Sequence, residues 1–237
     1  MLQIWFIDKA FEESNIYTVE DIPDDIDVMV LSHDHWDHLD YDMVRKIEPK
    51  VRCVVTGLGN GGYYEKWGYL PEKIREEDWD TEVVIDKGLS VWVLPAKHFS
   101  GRLLSRNQTL FAGFAFITPD RKVYYTGDGG YDGRFKRIGE QFDLALVEDG
   151  QYNEAWHSVH MMPEESALAG EELQAAAVIP CSNGKYPLSV YRWKEPYERI
   201  AEASKGKSYR LIMPMIGELV EIGNREQTFT NWWEGME

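Results

Sequence analysis

The chain has 237 residues, 41 acids against 25 Lys and Arg, a formal net charge of −16, and 43% hydrophobic residues that include 9 Trp, 13 Tyr and 9 Phe. That length fits one domain spanning residues 1–237, and so much apolar and aromatic content excludes a disordered chain. A strongly acidic surface repels phosphate backbones and anionic bilayers, which excludes a general nucleic-acid binder.

Met1–Ala10 has no basic leader, and Asp8 interrupts its apolar run, so no signal peptide is expected. No stretch approaches the length of a transmembrane helix. Cys53 and Cys181 read as free thiols, and the expectation is a soluble, cytoplasmic protein. Apolar periodicity predicts strands over Gln3–Ile7, Asp27–Leu31, Arg52–Val55, Glu82–Ile85, Leu89–Pro95, Leu110–Thr118, Val123–Thr126, Leu144–Val147, Ala177–Pro180 and Tyr209–Met213, with Ile216–Ile222 as a hairpin partner for the last. Helices are predicted over Asp40–Ile47, Gly61–Trp67, Pro163–Ala175 and Pro196–Lys205. Pro163 in a first turn followed by Glu164 and Glu165 suits the positive end of a helix. The class is mixed α/β, with much antiparallel pairing expected. Between Asp8 and Asp27 eight acids face one base, which reads as a solvated face.

The chemistry concentrates in Leu31-Ser32-His33-Asp34-His35-Trp36-Asp37-His38-Leu39-Asp40. A packed core has no use for such density, because each buried polar group needs a partner. Divalent-metal binding does need it, since neutral imidazole and carboxylate are good Zn²⁺ donors. On an extended loop His33 and His35 project to one side and can share an ion, while Asp37 and His38 can reach a second. Two further donors, His98 and Asp128, each follow a predicted strand, where a rigid frame can aim them.

The run His33-Asp-His35-Trp-Asp37-His38 matches the HxHxDH motif, and the chain thereby resembles the metallo-β-lactamase fold hydrolases. His98-Phe-Ser-Gly-Arg102, Tyr124-Tyr-Thr-Gly-Asp128, Phe142-Asp-Leu-Ala-Leu146, His160-Met-Met-Pro-Glu-Glu165 and Ile179-Pro180 follow in the family's order. The pattern is similar to the branch containing N-acylphosphatidylethanolamine phospholipase D and the ascorbate-phosphate lactonase-like proteins, the former being the nearer. The resemblance implies an αββα four-layer sandwich with one or two Zn²⁺, or Mn²⁺ or Fe, at one edge. His33, His35 and His98 would bind the first ion, Asp37 and His38 the second, and Asp128 would bridge them. Metal-activated hydroxide would cleave a phosphodiester or related ester, or a phosphate-bearing lactone, with Asp37 orienting the water or taking its proton. His160 and Arg102 would serve as substrate contacts or as supports behind the ligands.

Two positions depart from the family. Where the family has Pro-x-His-x-Gly-Lys-Phe, this chain has Pro180-Cys-Ser182-Asn-Gly-Lys-Tyr186. Ser182 is a poor Zn²⁺ ligand, so the second ion loses a donor. Three outcomes are open: an empty or weak second site and a catalytically weak protein, water in place of the imidazole, or Cys181 or His157 as substitute. The family also carries one or two strands before the segment matched by Ile4–Asp8. Their lack would expose a sheet edge and favour a homo-oligomer. The expected partner is a small anionic ester or phosphodiester.

Overall fold

The computed structural model describes residues 11, 14, 16–102, 104–186 and 189–236; the strand expected over Gln3–Ile7 lies outside them. The order is β1 (Met29–Leu31), α1 (Tyr41–Ile47), β2 (Val54–Gly57), α2 (Gly61–Lys66), β3 (Ile74–Glu77), β4 (Thr81–Asp86), β5 (Leu89–Pro95), β6 (Ala112–Ile117), β7 (Lys122–Tyr125), β8 (Leu144–Glu148), α3 (Pro163–Glu172), β9 (Ala177–Cys181), α4 (Glu195–Ala203) and β10 (Arg210–Leu211), with short 3₁₀ turns between.

Alternation along the strands builds four layers. β1, β2 and β3 form one parallel sheet, and β10-β9-β8-β7-β6-β5-β4 form a second, mixed one. In the small sheet Leu31 and Val54 turn to α1 and α2, where they meet Leu39, Val44, Ile47 and Tyr64. Val30 and Val55 turn the other way and meet Val83, Val91, Val93 and Phe114 of the large sheet. The opposite face of the large sheet presents Leu94, Ala115, Tyr124, Ala145, Val147 and Val178 to Ala169 of α3 and to Leu173, the residue that caps its end. Gly170 lets α3 approach closely, since a Cβ there would lie 2.6 Å from Val178. The architecture is the αββα sandwich.

The helices begin where local chemistry provides caps. The Asp40 side chain accepts from Met43 N at 2.8 Å and caps α1. α3 places Pro163 in its first turn, and the Glu165 carboxylate accepts from Met162 N at 3.0 Å. α3 ends at Glu172, before the expected Ala175, because Gln174 takes a left-handed φ of 50°.

The expected antiparallel pairing joins β4, β5, β6 and β7, and parallel pairing joins β7, β8, β9 and β10 and the whole small sheet. Two details differ from expectation. β3 was not foreseen: its Ile-Arg-Glu-Glu sequence is charged because only one neighbour, β2, pairs with it at the sheet edge. Ile216–Ile222 forms turns rather than a strand. Glu218 N bonds Met215 O at 3.0 Å, and Gly217 sits at φ 96°.

Phe114 is fully buried where the two sheets meet. Phe114→Ala is expected to cost about 3–5 kcal/mol of stability by opening a cavity between them. Urea unfolding checks this, and a loss under about 1 kcal/mol would show that the interface repacks.

Candidate metal centre

Five strands end at one edge and hand over the side chains that meet there. β1 leads into Ser32–Asp40, β5 into His98, β7 into Asp128, β8 ends on Glu148, and β9 leads into Ser182. β5, β7, β8 and β9 run in the same direction, so their carboxyl ends coincide. Ala112 N bonds Ser32 O at 2.8 Å and ties the β1 loop to the large sheet. Gly127 makes this closeness possible. Its φ is 61°, and a Cβ there would lie 2.8 Å from Ala112 O and 2.9 Å from Ser32 Cβ.

The ring nitrogens of His33, His35 and His98 lie within 4.8 Å of one another. His33 Nε2 and His35 Nδ1 are 2.8 Å apart, and His98 Nε2 is 3.2 Å from the same His35 nitrogen. A second set, within the same limit, joins His33, His38 and Asp128, and a third joins His98, Asp128 and His160. His38 Nε2 lies 3.0 Å from Asp128 Oδ2. Asp37 stands at the margin. Its Oδ2 is 3.7 Å from His38 Nε2 and accepts a hydrogen bond from Gln151 Nε2 at 3.0 Å. The structure therefore brings His33, His35, His38, His98, Asp128 and His160 together, with Asp37 beside them.

The donors suit a divalent ion. Burial holds His33 well below its ordinary range, lowers His35, and lowers His98 to about 3, so all three are neutral near pH 7. His98 Nδ1 donates to Val159 O at 2.9 Å, which leaves its Nε2 with the lone pair aimed at His35. Neutral lone pairs facing one another repel, and one N–H cannot satisfy them all. A cation among them can, and nitrogen with carboxylate oxygen is a donor set for Zn²⁺, Mn²⁺ or Fe.

His38 and Asp128 form the opposite case. Burial would lower His38, yet the Asp128 charge and hydrogen bond outweigh it and raise the ring to about 9. Burial would raise Asp128, yet His38 holds it well below the carboxylate range. Ser182 Oγ, from a residue at φ 62°, donates to the other Asp128 oxygen at 3.1 Å. The family's histidine position thus lies against the site and offers a hydroxyl. Neither proposed substitute joins the metal-binding groups found among the described residues. His157 pairs with Glu165 at 2.8 Å, and burial holds the free Cys181 thiol in its neutral form.

Three supports were missed in the sequence, and a fourth, Arg102, was named there. Buried Asp34 accepts from Gly101 N at 2.6 Å and from Tyr63 OH at 2.9 Å, pinning the β1 loop to the His98 loop and α2. Gln151 orients Asp37. Glu148, wholly buried, binds His160 Nδ1 and accepts from Gly129 N at 2.6 Å. Its acidic position at a strand end is the same signal that marked His98 and Asp128. Arg102 lies behind the loop. Its Nη1 donates to the carbonyls of Asp34 at 3.1 Å and Leu39 at 2.8 Å, and its guanidinium stacks 3.8 Å from the Trp36 ring centroid. That geometry orients the loop.

Residues 10–181, most of the chain, match the Beta-lactamase superfamily domain. The chain belongs to the beta-lactamase superfamily. An uncharacterized protein of Mycobacterium tuberculosis strain H37Rv is 38% identical over 203 residues, covering 83% of this chain and 54% of the relative. The N-acyl-phosphatidylethanolamine-hydrolyzing phospholipase D 1 of Caenorhabditis elegans is 33% identical over 228 residues, covering 87% of this chain and 64% of that enzyme. This superfamily member thus spans less than two thirds of either relative. The isothiocyanate hydrolase from Delia radicum gut bacteria superposes with a TM-score of 0.64 at 19% identity, covering 86% of this chain and 78% of that one. At that identity the likeness shows the shared fold alone.

The shifted histidines set a pH dependence for the metal-stripped protein. His98, lowered from 6.5 to about 3, stays neutral in the fold while the unfolded chain takes up protons. The stability it contributes is present above pH 6.5 and is lost as the pH falls towards about 3. His33 and His35 act in the same direction. His38 opposes them, stabilising below 6.5 and losing that contribution as the pH rises through about 9. The urea midpoint of chelated protein is expected to fall on going from about pH 7 to pH 4, less steeply in His98→Gln. Equal slopes for the two proteins would contradict the assignment.

Proposed function

We propose that the chain is a metal-dependent hydrolase of a small anionic ester, with a phosphodiester as the preferred class. The observation that carries this reading is the pair of adjoining donor sets that share His33 at one strand edge. Kinship with a phospholipase D supports the phosphodiester. Among the described residues no helix is long and apolar enough to cross a membrane, and the reading includes a cytoplasmic place of action.

His33, His35 and His98 would hold a first Zn²⁺, and His38, Asp37 and Asp128 a second. Bound there, the metal would polarise the scissile bond and lower the pKa of water. The remaining work falls to side chains. Asp37 is partly exposed and fixed by Gln151, so its carboxylate is placed to orient a water and accept its proton. Asp34 and Arg102 hold the loop that carries both donor sets, which keeps the donors preorganised. The acidic surface makes this cleft the place where an anion can settle once metal is present.

Ser182 favours a graded version of this reading, with one ion held firmly and a second weakly. Asp128 is engaged on both oxygens, by His38 on Oδ2 and by Ser182 on Oδ1, and no imidazole stands at position 182. A weak second site lowers the positive field at the substrate and makes a slow enzyme.

Purified protein is expected to hold about one firmly bound equivalent of metal by mass spectrometry, and to hydrolyse bis-para-nitrophenyl phosphate in preference to a phosphorylated lactone. EDTA and His33→Ala should both reduce turnover to background, with added Zn²⁺ rescuing only the former. Hydrolysis that survives metal removal would exclude the proposed chemistry. Ser182→His, at a backbone conformation histidine tolerates, is expected to bring a second equivalent and about tenfold faster turnover. Unchanged metal content in that variant would rule out Ser182 as the cause of a weak second site.

A further inference from the structure

Glu148 is fully buried beside the donor cluster, and both of its carboxylate oxygens are engaged. Oε1 takes the Nδ1 proton of His160, and Oε2 takes the amide proton of Gly129 at 2.6 Å. Gly129 follows Asp128 directly, so this one carboxylate braces two site segments that come from different parts of the chain. The carboxylate is itself held in place. Its backbone N–H bonds Thr126 Oγ1 at 3.0 Å, and its carbonyl accepts from Ser166 Oγ of α3 at 2.6 Å. Deep burial would not retain a carboxylate without return, because each lost partner leaves a costly unsatisfied group.

The geometry of His160 shows what the brace accomplishes. Its ring lies 4.9 Å from the His98 ring in an edge-to-face contact, and its donor atom belongs with those of His98 and Asp128. A neutral imidazole carries one proton on either nitrogen, and the partner of one nitrogen decides the state of the other. While Glu148 is ionised and His160 neutral, the carboxylate on Nδ1 can only accept, so it holds the proton there and leaves Nε2 with a lone pair.

We infer that Glu148 is a positioning residue that fixes His160 in the Nδ1–H tautomer and the Asp128–Gly129 turn in register with it, presenting the Nε2 lone pair of His160 to the metal-site cleft. The inference rests on the hydrolase reading for its effect on turnover, while its effect on the proton does not. Glutamine separates the two functions of the carboxylate. In Glu148→Gln the side-chain oxygen can still accept from Gly129 N, but the amide NH₂ then faces His160 Nδ1. The imidazole must turn that nitrogen into an acceptor and carry its proton on Nε2. The mutant keeps the brace on the turn and reverses the tautomer, with the fold retained.

The test uses the whole chain, ¹⁵N-labelled at histidine, both metal-stripped and loaded with Zn²⁺. The His160 resonances are assigned by their loss in His160→Asn. Two-bond proton–nitrogen spectra are expected to show the Nδ1–H form in the native protein and the Nε2–H form in Glu148→Gln. In the same variant Zn²⁺ affinity or kcat for bis-para-nitrophenyl phosphate is expected to fall about 10–100-fold, the range for a lost partner behind a ligand shell. Glu148→Asp, which keeps two acceptors on a shorter arm, should retain the native tautomer and recover part of the loss. A neutral native His160 carrying its single proton on Nε2 overturns the inference even if no variant folds, and so does a folded Glu148→Gln that keeps the native tautomer. If the tautomer reverses as expected but the native protein does not hydrolyse the diester, the hydrolase reading fails and the positioning role stands.

Discussion

Facing lone pairs in a buried cleft set the terms for the rest of this structure. His33, His35 and His98 approach to 2.8 and 3.2 Å with their nitrogens converging, and burial keeps them uncharged. A cluster of that kind is a source of strain unless a cation completes it, and it does not persist unless something else holds the rings in place. The supports are all polar and almost all act through backbone. Val159 O takes the His98 proton, Ser32 Oγ lies 3.1 Å from His33 Nδ1, and Asp34 and Arg102 bind loop amides and carbonyls. The sandwich anchors those supports, because the strands that carry them end together and leave little freedom to move apart.

Charge balance follows from the same constraint. Three neutral imidazoles contribute nothing to the net charge, so the field of the first donor set comes from the ion it would hold. The second set differs: His38 and Asp128 already neutralise each other as an ion pair at 3.0 Å. An ion entering there competes with that pair and with the Ser182 hydroxyl. The histidine expected at position 182 would have supplied a donor to offset this competition. Its replacement leaves Asp128 satisfied by the protein itself, which makes the apo arrangement of the second set more stable than that of the first.

Much of this was legible in the sequence where the signal is local. Three histidines and three acids directly after an apolar strand have no structural use, and the strand-end positions of His98 and Asp128 follow from strands that formed close to where periodicity placed them. The αββα layering was implied by the family resemblance, and the fold realises it by sending Val54 to the helices and Val55 to the second sheet. β3 was not legible, because a parallel edge strand is held by backbone pairing and needs no apolar alternation. Asp34 occupies a spacer position of the motif, and its importance rests on contact with Gly101, 67 residues away. Arg102 read in sequence either as a brace for the site or as an anion-binding fork. Its stacking on Trp36 and its bonds to two carbonyls became visible only once the loop had closed over it.

The buried acids show why the site and the fold cannot be separated. Glu148 is desolvated, and Asp128 is close enough to raise it further, to about 7, against the pull of His160. His160 is pushed down by burial and drawn up past its ordinary value by Glu148. Each group is tolerable only in the presence of the other, and both depend on α3, whose Ser166 holds the Glu148 carbonyl. α3 is also the helix that covers the large sheet, through Ala169 and its C-cap residue Leu173. A change that loosens that packing would therefore reach the metal edge through Ser166 and Glu148 before it exposed much apolar surface. The polar network ties the outermost layer of the sandwich to the donor cluster, so the stability of the fold and the geometry of the site rest on the same contacts.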